Sequence, residues 1–157
     1  MTSFQDSTLV VIGSGPGIGS AVAAIFAQEG FDKIALLSRN ATRLEQDRQA
    51  VEEAAQAANR DVSVGTWAVD ITDTAAYQDV LGRVSSFGTL ECILFNAARV
   101  KTSDLMEEPV EELEYDFKVS SRAPAYPLRV PVVLAFGVTY QQRWHKLTPL
   151  RSPTQHF

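Results

Sequence analysis

Residues 8–19 read Thr-Leu-Val-Val-Ile-Gly-Ser-Gly-Pro-Gly-Ile-Gly, and this stretch decides the fold. Its first half, Thr8–Gly13, is apolar and β-branched and ends in glycine, which is typical of a strand buried on both faces. The residues after it have the spacing of a helix, with Gly30 where a C-terminal cap is expected. The apolar positions of that helix are Ile18, Val22, Ile25 and Phe26. We therefore predict a strand, a glycine loop and a helix in succession.

The alternation of strand and helix continues along the chain. The predicted elements are a strand at Lys33–Ser38, a helix from Asn40 as N-cap to about Asn59, a strand at Val62–Val69, a helix opened by Asp73 or Thr74 that carries Tyr77, Val80, Leu81 and Val84, a strand at Glu91–Asn96, an acidic helix at Val110–Val119 with Val110, Leu113 and Phe117 on one face, and a strand at Val132–Val138. Such alternation predicts an α/β fold, a Rossmann-like doubly wound parallel sheet of four to five strands.

Composition and charge limit the function classes. At 157 residues with 45% hydrophobic and 21% charged content, the chain has the size and composition of one soluble domain. The apolar stretches are too short to span a bilayer and the N-terminus does not resemble a signal peptide, so we expect a cytoplasmic protein without a membrane partner. Cys92 is the only cysteine, which excludes a disulfide within the chain and a cysteine-rich metal site; we predict a buried thiol and no metal.

The charge changes sharply after Asp116. All 19 acidic residues lie at or before it, whereas residues 117–157 contain six Lys or Arg and five of the seven prolines. We predict a domain at residues 1–119, with its core at 8–98, and a poorly ordered Pro-rich basic tail at 120–157 that leaves the sheet incomplete. The basic residues show neither helical nor alternating spacing, so no nucleic-acid partner is predicted.

The glycine loop has the composition of an anion-binding site. Glycines between a strand and a helix let the backbone approach a pyrophosphate, and the amides and dipole at the helix N-terminus favour negative charge. The candidate residues are Gly13, Ser14, Gly17, Ile18 and Gly19. A glycine-rich turn without a ligand is the alternative.

The spacing of Gly13, Gly17 and Gly19 resembles the Gly-x-x-x-Gly-x-Gly motif of the short-chain dehydrogenases/reductases, with Ile12 where that family usually has Thr. Just after the third strand, Asp70-Ile71 is similar to the family's Asp-Val or Asp-Ile pair, whose Asp contacts the adenine ring. Asn96-Ala97 occupies the place of the family's Asn-Asn-Ala-Gly. The resemblance, which covers residues 8–98, implies a nicotinamide cofactor. Asp70 could otherwise be a helix N-cap or a turn former.

The end of the second strand predicts which cofactor binds. An acid there binds the ribose 2′-hydroxyl of NAD, whereas a basic residue accommodates the 2′-phosphate of NADP. This chain has Ser38 and Arg39 at that place and no acid, so we predict that both residues contact the phosphate and that NADP(H) is preferred. A surface arginine in a loop is the alternative.

The catalytic pair of the resembled family is absent from this sequence. Family members transfer hydride between NADP(H) and a carbonyl or alcohol, with a Tyr whose pKa is lowered by a Lys four residues later. The residues four positions after the tyrosines are Leu81, Val119, Val130 and Trp144. We therefore predict no catalytic residue in this chain.

Three hypotheses follow. The first is an NADP(H)-dependent oxidoreductase by ancestry, inactive as this chain, with a tail read from another frame or an intron. The second is a non-catalytic NADP(H)-binding module, and the third is an inert gene remnant. An exposed sheet edge would also favour self-association or pairing with an intact relative.

Overall fold

The computed structural model describes residues 6–98, 109–121 and 132–135. Strands and helices alternate along these segments, as predicted. The strands are β1 Ser7–Ile12, β2 Lys33–Ser38, β3 Ser63–Ala68, β4 Thr89–Phe95 and β5 Val132–Ala135. The helices are α1 Ile18–Glu29, α2 Ala41–Ala57, α3 Thr74–Ser85 and α4 Val110–Ser121.

The strands form one parallel sheet in the order β3-β2-β1-β4-β5. The chain builds outward from β1 through β2 to β3, and then returns to place β4 and β5 on the other side of β1. The predicted doubly wound α/β fold is therefore confirmed. The predicted strand at 132–138 is found at Val132–Ala135, where Ala135 lies opposite Phe95 of β4. Of the tail predicted at 120–157, Ser120 and Ser121 belong to α4, and residues 122–131 and 136–157 lie outside the described residues.

Two hydrophobic cores lie on the two faces of the sheet. Side chains of a strand alternate between faces, so Leu9 and Val11 of β1 pack with residues of α1 and α2, whereas Val10 and Ile12 pack with residues of α3 and α4. All six residues of β1 are buried. This double burial explains why β1 is a nearly continuous apolar run.

Helix α1 turns a face of small residues inward. The helix and its C-cap were predicted correctly: Gly30 has φ 142°, and its amide donates to the Phe26 carbonyl. However, Ile18 and Ile25 are 54% and 53% exposed. The buried residues of α1 are Gly19, Ala23 and Ala27, and small side chains allow the helix to lie close to the sheet.

Helices α2 and α3 begin at the predicted N-caps. The Asn40 side chain accepts from the Arg43 amide at 3.0 Å, and the Asp73 carboxylate accepts from the amides of Ala75 and Ala76, each at 3.1 Å. The four predicted core residues of α3 are all buried.

Helix α4 is present, and the apolar face predicted for it points outward. Val110, Leu113 and Phe117 are 65%, 49% and 72% exposed. The helix instead buries Val119 and packs the half-buried Tyr115 against the core. The helical period shows which residues share a face, but it does not show which face meets the sheet.

Cys92 of β4 is 3% exposed and belongs to the core shared with α1 and α2. Burial raises the pKa of its thiol, because the thiolate would lose its hydration. The predicted buried thiol is confirmed. Within residues 6–98, 109–121 and 132–135, no helix combines the length and the apolar character needed to cross a membrane.

Candidate functional site

A cavity of about 260 Å³ opens at the carboxyl ends of the strands, beside β1 and β4. The strand order reverses there, and ligands of open α/β sheets bind at such switch points. The residues that line the cavity are Gly13, Ser14, Leu37, Ser38, Arg39, Val69, Asp70, Ile71, Asn96, Ala97, Ala98, Tyr115 and Val119.

The structure brings together most of the site residues that the sequence predicted. Eight of them line the cavity: Gly13, Ser14, Ser38, Arg39, Asp70, Ile71, Asn96 and Ala97. The other three, Gly17, Ile18 and Gly19, lie where the loop enters α1. The sequence did not indicate the contributions of Leu37, Val69, Tyr115 and Val119 to the lining.

The glycine turn is held by the strands on both sides of β1. The amides of Gly13 and Ser14 both donate to the Leu37 carbonyl, at 2.8 Å and 2.9 Å. From the other side, Asn96 donates from Nδ2 to the Gly13 carbonyl at 3.1 Å. Gly13 has φ 93°, and a Cβ there would lie 2.4 Å from the Ala97 backbone nitrogen. The loop can therefore follow this path only with glycine at position 13.

A buried carboxylate on α2 also holds the loop. The Ser14 hydroxyl donates to Asp47 Oδ2 at 2.7 Å, and Asp47 is only 6% exposed. Sequence reasoning missed this contact, although a signal exists, because Asp47 interrupts the buried stripe that includes Leu44 and Val51. The Ser14 hydroxyl thus donates within the protein, and this contact ties the loop to α2.

The end of the loop leaves room and donors for an anion. Ile18 and Gly19 are the first two residues of α1, so their amides have no acceptor within the helix. A Cβ built at Gly15 or Gly17 would meet no heavy atom within 4 Å, so open space surrounds the turn. These features fit a phosphate at the helix N-terminus, where the dipole favours negative charge.

At the end of β2, the hydroxyl of Ser38 is buried, and the described residues provide no hydrogen-bond partner for it. A buried hydroxyl without a partner is costly. Arg39 follows directly and donates from Nη1 to the Tyr115 hydroxyl at 3.2 Å. Both residues line the cavity, and both are of a chemical type that donates hydrogen bonds to phosphate oxygens.

Asp70 follows β3 and forms a turn with Thr72, whose amide and hydroxyl donate to Oδ1 at 2.8 Å and 2.7 Å. Burial by itself would raise the pKa of Asp70. The two Thr72 hydrogen bonds, the charge of Arg39 and a hydrogen bond from Tyr115 outweigh it, so the pKa is lowered. The Asp70 carboxylate therefore remains a hydrogen-bond acceptor at the wall of the cavity at neutral pH. It also forms a turn, which is the alternative role considered for Asp70 from the sequence.

The tyrosines of the described segments do not form a catalytic pair. Tyr77 is 1% exposed and belongs to the core. Tyr115 lines the cavity, but Val119, one turn later, occupies the place where a lysine would be needed. Tyr126 and Tyr140 lie outside the described residues. In the described segments, no group of three or more His, Cys, Asp or Glu residues is placed to hold a metal ion.

Comparison with known proteins gives consistent matches. The family model of the KR domain matches residues 7–120. The Short chain dehydrogenase pgmD of Aspergillus terreus is 30% identical over 115 residues, covering 71% of this chain and 36% of its own length.

Two solved structures are similar in fold. The L-sorbose reductase from Gluconobacter frateurii, complexed with NADPH and L-sorbose, has a TM-score of 0.65 and 29% identity, with 75% of this chain and 43% of that chain covered. An NAD⁺-bound xylitol dehydrogenase has a TM-score of 0.62 and 25% identity, covering 74% and 43% of the two chains. The chain spans less than half the length of each of these three relatives.

Proposed function

The chain belongs to the KR-domain family of the short-chain dehydrogenases/reductases, and from that premise we propose that residues 1–119 form a domain that binds NADP(H). The proposed ancestral activity is hydride transfer between this cofactor and a carbonyl or alcohol. In the 157-residue chain itself, the proposed function is cofactor binding without turnover.

The residues at the end of β2 support the preference for NADP(H) over NAD(H). At the end of β2, the buried hydroxyl of Ser38 has no hydrogen-bond partner among the described residues, and the cation Arg39 follows it, with no acid at this place. A carboxylate there would repel a 2′-phosphate, whereas a guanidinium attracts it. The similar solved structures do not distinguish NADP(H) from NAD(H), because one contains NADPH and another contains NAD⁺.

The remaining residues would each hold a different part of the cofactor. The first amides of α1 would bind the pyrophosphate, Asp70 would accept a hydrogen bond from the adenine amino group, and Asn96 would keep the glycine turn in place. A bound NADPH supplies a hydride. Ala98 lines the cavity where the resembled motif has glycine, so its methyl group would leave less space for a bound cofactor there.

The first test is titration with NADPH and NADH, with binding followed by calorimetry. Wild type should bind NADPH more tightly, and Arg39→Ala should weaken NADPH binding about 10- to 100-fold, the effect of losing one charged hydrogen bond, and leave NADH binding unchanged. The matched control is Arg83→Ala, which removes an exposed positive charge in the last turn of α3. Equal affinities of wild type for NADPH and NADH would contradict the proposed preference.

We also propose that the edge strand β5 pairs with a second copy or with an intact relative. β5 bonds to β4 on one side, and the described segments place no strand on its other side, where free backbone groups favour pairing. Sedimentation velocity over a range of concentrations should show a species heavier than the 17.2 kDa monomer, increasing with concentration. A monomer at every concentration would contradict self-association, and a pull-down with an intact relative then tests the mixed pair.

A further inference from the structure

Three elements that are distant in sequence meet at the wall of the cavity. Arg39 follows β2, Asp70 follows β3, and Tyr115 lies on α4. The Tyr115 hydroxyl accepts a hydrogen bond from Arg39 Nη1 at 3.2 Å, and Tyr115 also contributes to lowering the pKa of Asp70. The residue proposed to bind phosphate is therefore in contact with a side chain from another element of the cavity wall.

The direction of this hydrogen bond follows from the chemistry of the groups. A guanidinium can only donate, so the phenol oxygen of Tyr115 is the acceptor. The guanidinium has five N–H groups, and the contact with Tyr115 occupies one of them. The hydrogen bonds of the described segments involve no other N–H group of Arg39, so the remaining groups are available to a phosphate.

The ring of Tyr115, whose hydroxyl accepts the hydrogen bond from Arg39, is held by packing against the core. The ring is half-buried and packs against the core on the α3 and α4 side of the sheet, and Val119, one turn later, is 7% exposed. Arg39, in contrast, is exposed. A long exposed side chain loses conformational freedom when it binds a ligand, and a support already present in the free protein reduces that loss.

We propose that Tyr115 is a positioning residue that holds Arg39 at the adenosine end of the cavity and thereby sets the preference for a ligand with a 2′-phosphate. Tyr115 acts through Arg39 and not through a contact of its own with the cofactor. This inference rests on the proposed binding of NADP(H). On the same helix, Val110, Leu113 and Phe117 point outward, whereas Tyr115 lies on the side that faces the sheet.

The test compares wild type, Tyr115→Phe, Arg39→Ala and the double variant by calorimetric titration with NADPH and with NADH. Tyr115→Phe keeps the ring and removes the hydroxyl. We expect it to weaken NADPH binding about two- to tenfold, the effect of one unfixed side chain, and to leave NADH binding unchanged. In the Arg39→Ala background, the same substitution should have no effect on either affinity, because the residue it positions is gone.

Tyr77→Phe is the matched control, since it removes a hydroxyl from the core and should leave the ratio of NADPH to NADH affinity unchanged. An equal loss of both affinities in Tyr115→Phe would indicate a general structural role and overturn the inference. Full NADPH preference in Tyr115→Phe, or an effect that persists without Arg39, would do the same. Wild type that binds neither cofactor overturns the proposed function itself, and this inference with it.

Discussion

Gly13→Ala should lower the free energy of unfolding by about 3 kcal/mol or more, and should abolish cofactor binding in the molecules that still fold. Two effects add at this position. The backbone has φ 93°, which an alanine adopts only with strain, and the added Cβ would lie 2.4 Å from the Ala97 nitrogen and 2.6 Å from the Ala97 Cα. Both are backbone atoms, so no side chain can move aside.

The loss of cofactor binding is expected because the turn is hydrogen-bonded to Leu37 of β2 and to Asn96, which directly follows β4. A shift at Gly13 disturbs the hydrogen bonds to the Leu37 carbonyl and from the Asn96 side chain, and these fix the loop relative to its neighbours. Denaturant unfolding followed by circular dichroism measures the stability, and NADPH titration measures the site.

Gly15→Ala is the matched control for stability. Gly15 lies in the same loop, but a Cβ there meets no heavy atom within 4 Å and its backbone does not have a left-handed φ. Its free energy of unfolding should therefore stay within about 0.5 kcal/mol of wild type. If both alanine variants unfold at the same denaturant concentration as wild type, the close contact between Gly13 and the backbone of Ala97 is wrong.

The second large effect expected is on turnover. The 157-residue chain should oxidise NADPH in the presence of carbonyl substrates about 10²- to 10⁴-fold more slowly than an intact relative. A positioned general acid typically contributes a factor of this size. Neither Tyr77 in the core nor Tyr115 in the cavity is followed one turn later by the lysine of the family's catalytic pair.

The measurement is the decrease in NADPH absorbance at saturating cofactor, with the L-sorbose reductase of Gluconobacter frateurii and L-sorbose as the positive control. NADPH binding to this chain must be shown in the same preparation, so that a missing cofactor is not taken for missing chemistry. Turnover of any carbonyl compound within tenfold of the control would show that other residues of this chain replace the missing pair.

The order of elements and the position of the site were predictable because their signals are local. The apolar run before the glycine loop, the N-caps Asn40 and Asp73, and the C-cap Gly30 each act on residues within a few positions of themselves. Parallel strands place their carboxyl ends at one edge, so the predicted residues at those ends had to meet there.

Tertiary structure alone decided which helix faces are buried and which side chains meet across the site. Ile25 and Phe117 fit an apolar period, yet both point outward, because the inward face depends on the surface that the sheet presents. The contact between Ser14 and Asp47 spans 33 residues, and that between Arg39 and Tyr115 spans 76. The sequence by itself determined the fold and the glycine loop through neighbouring residues, whereas these pairings exist only because the sheet brings distant segments together.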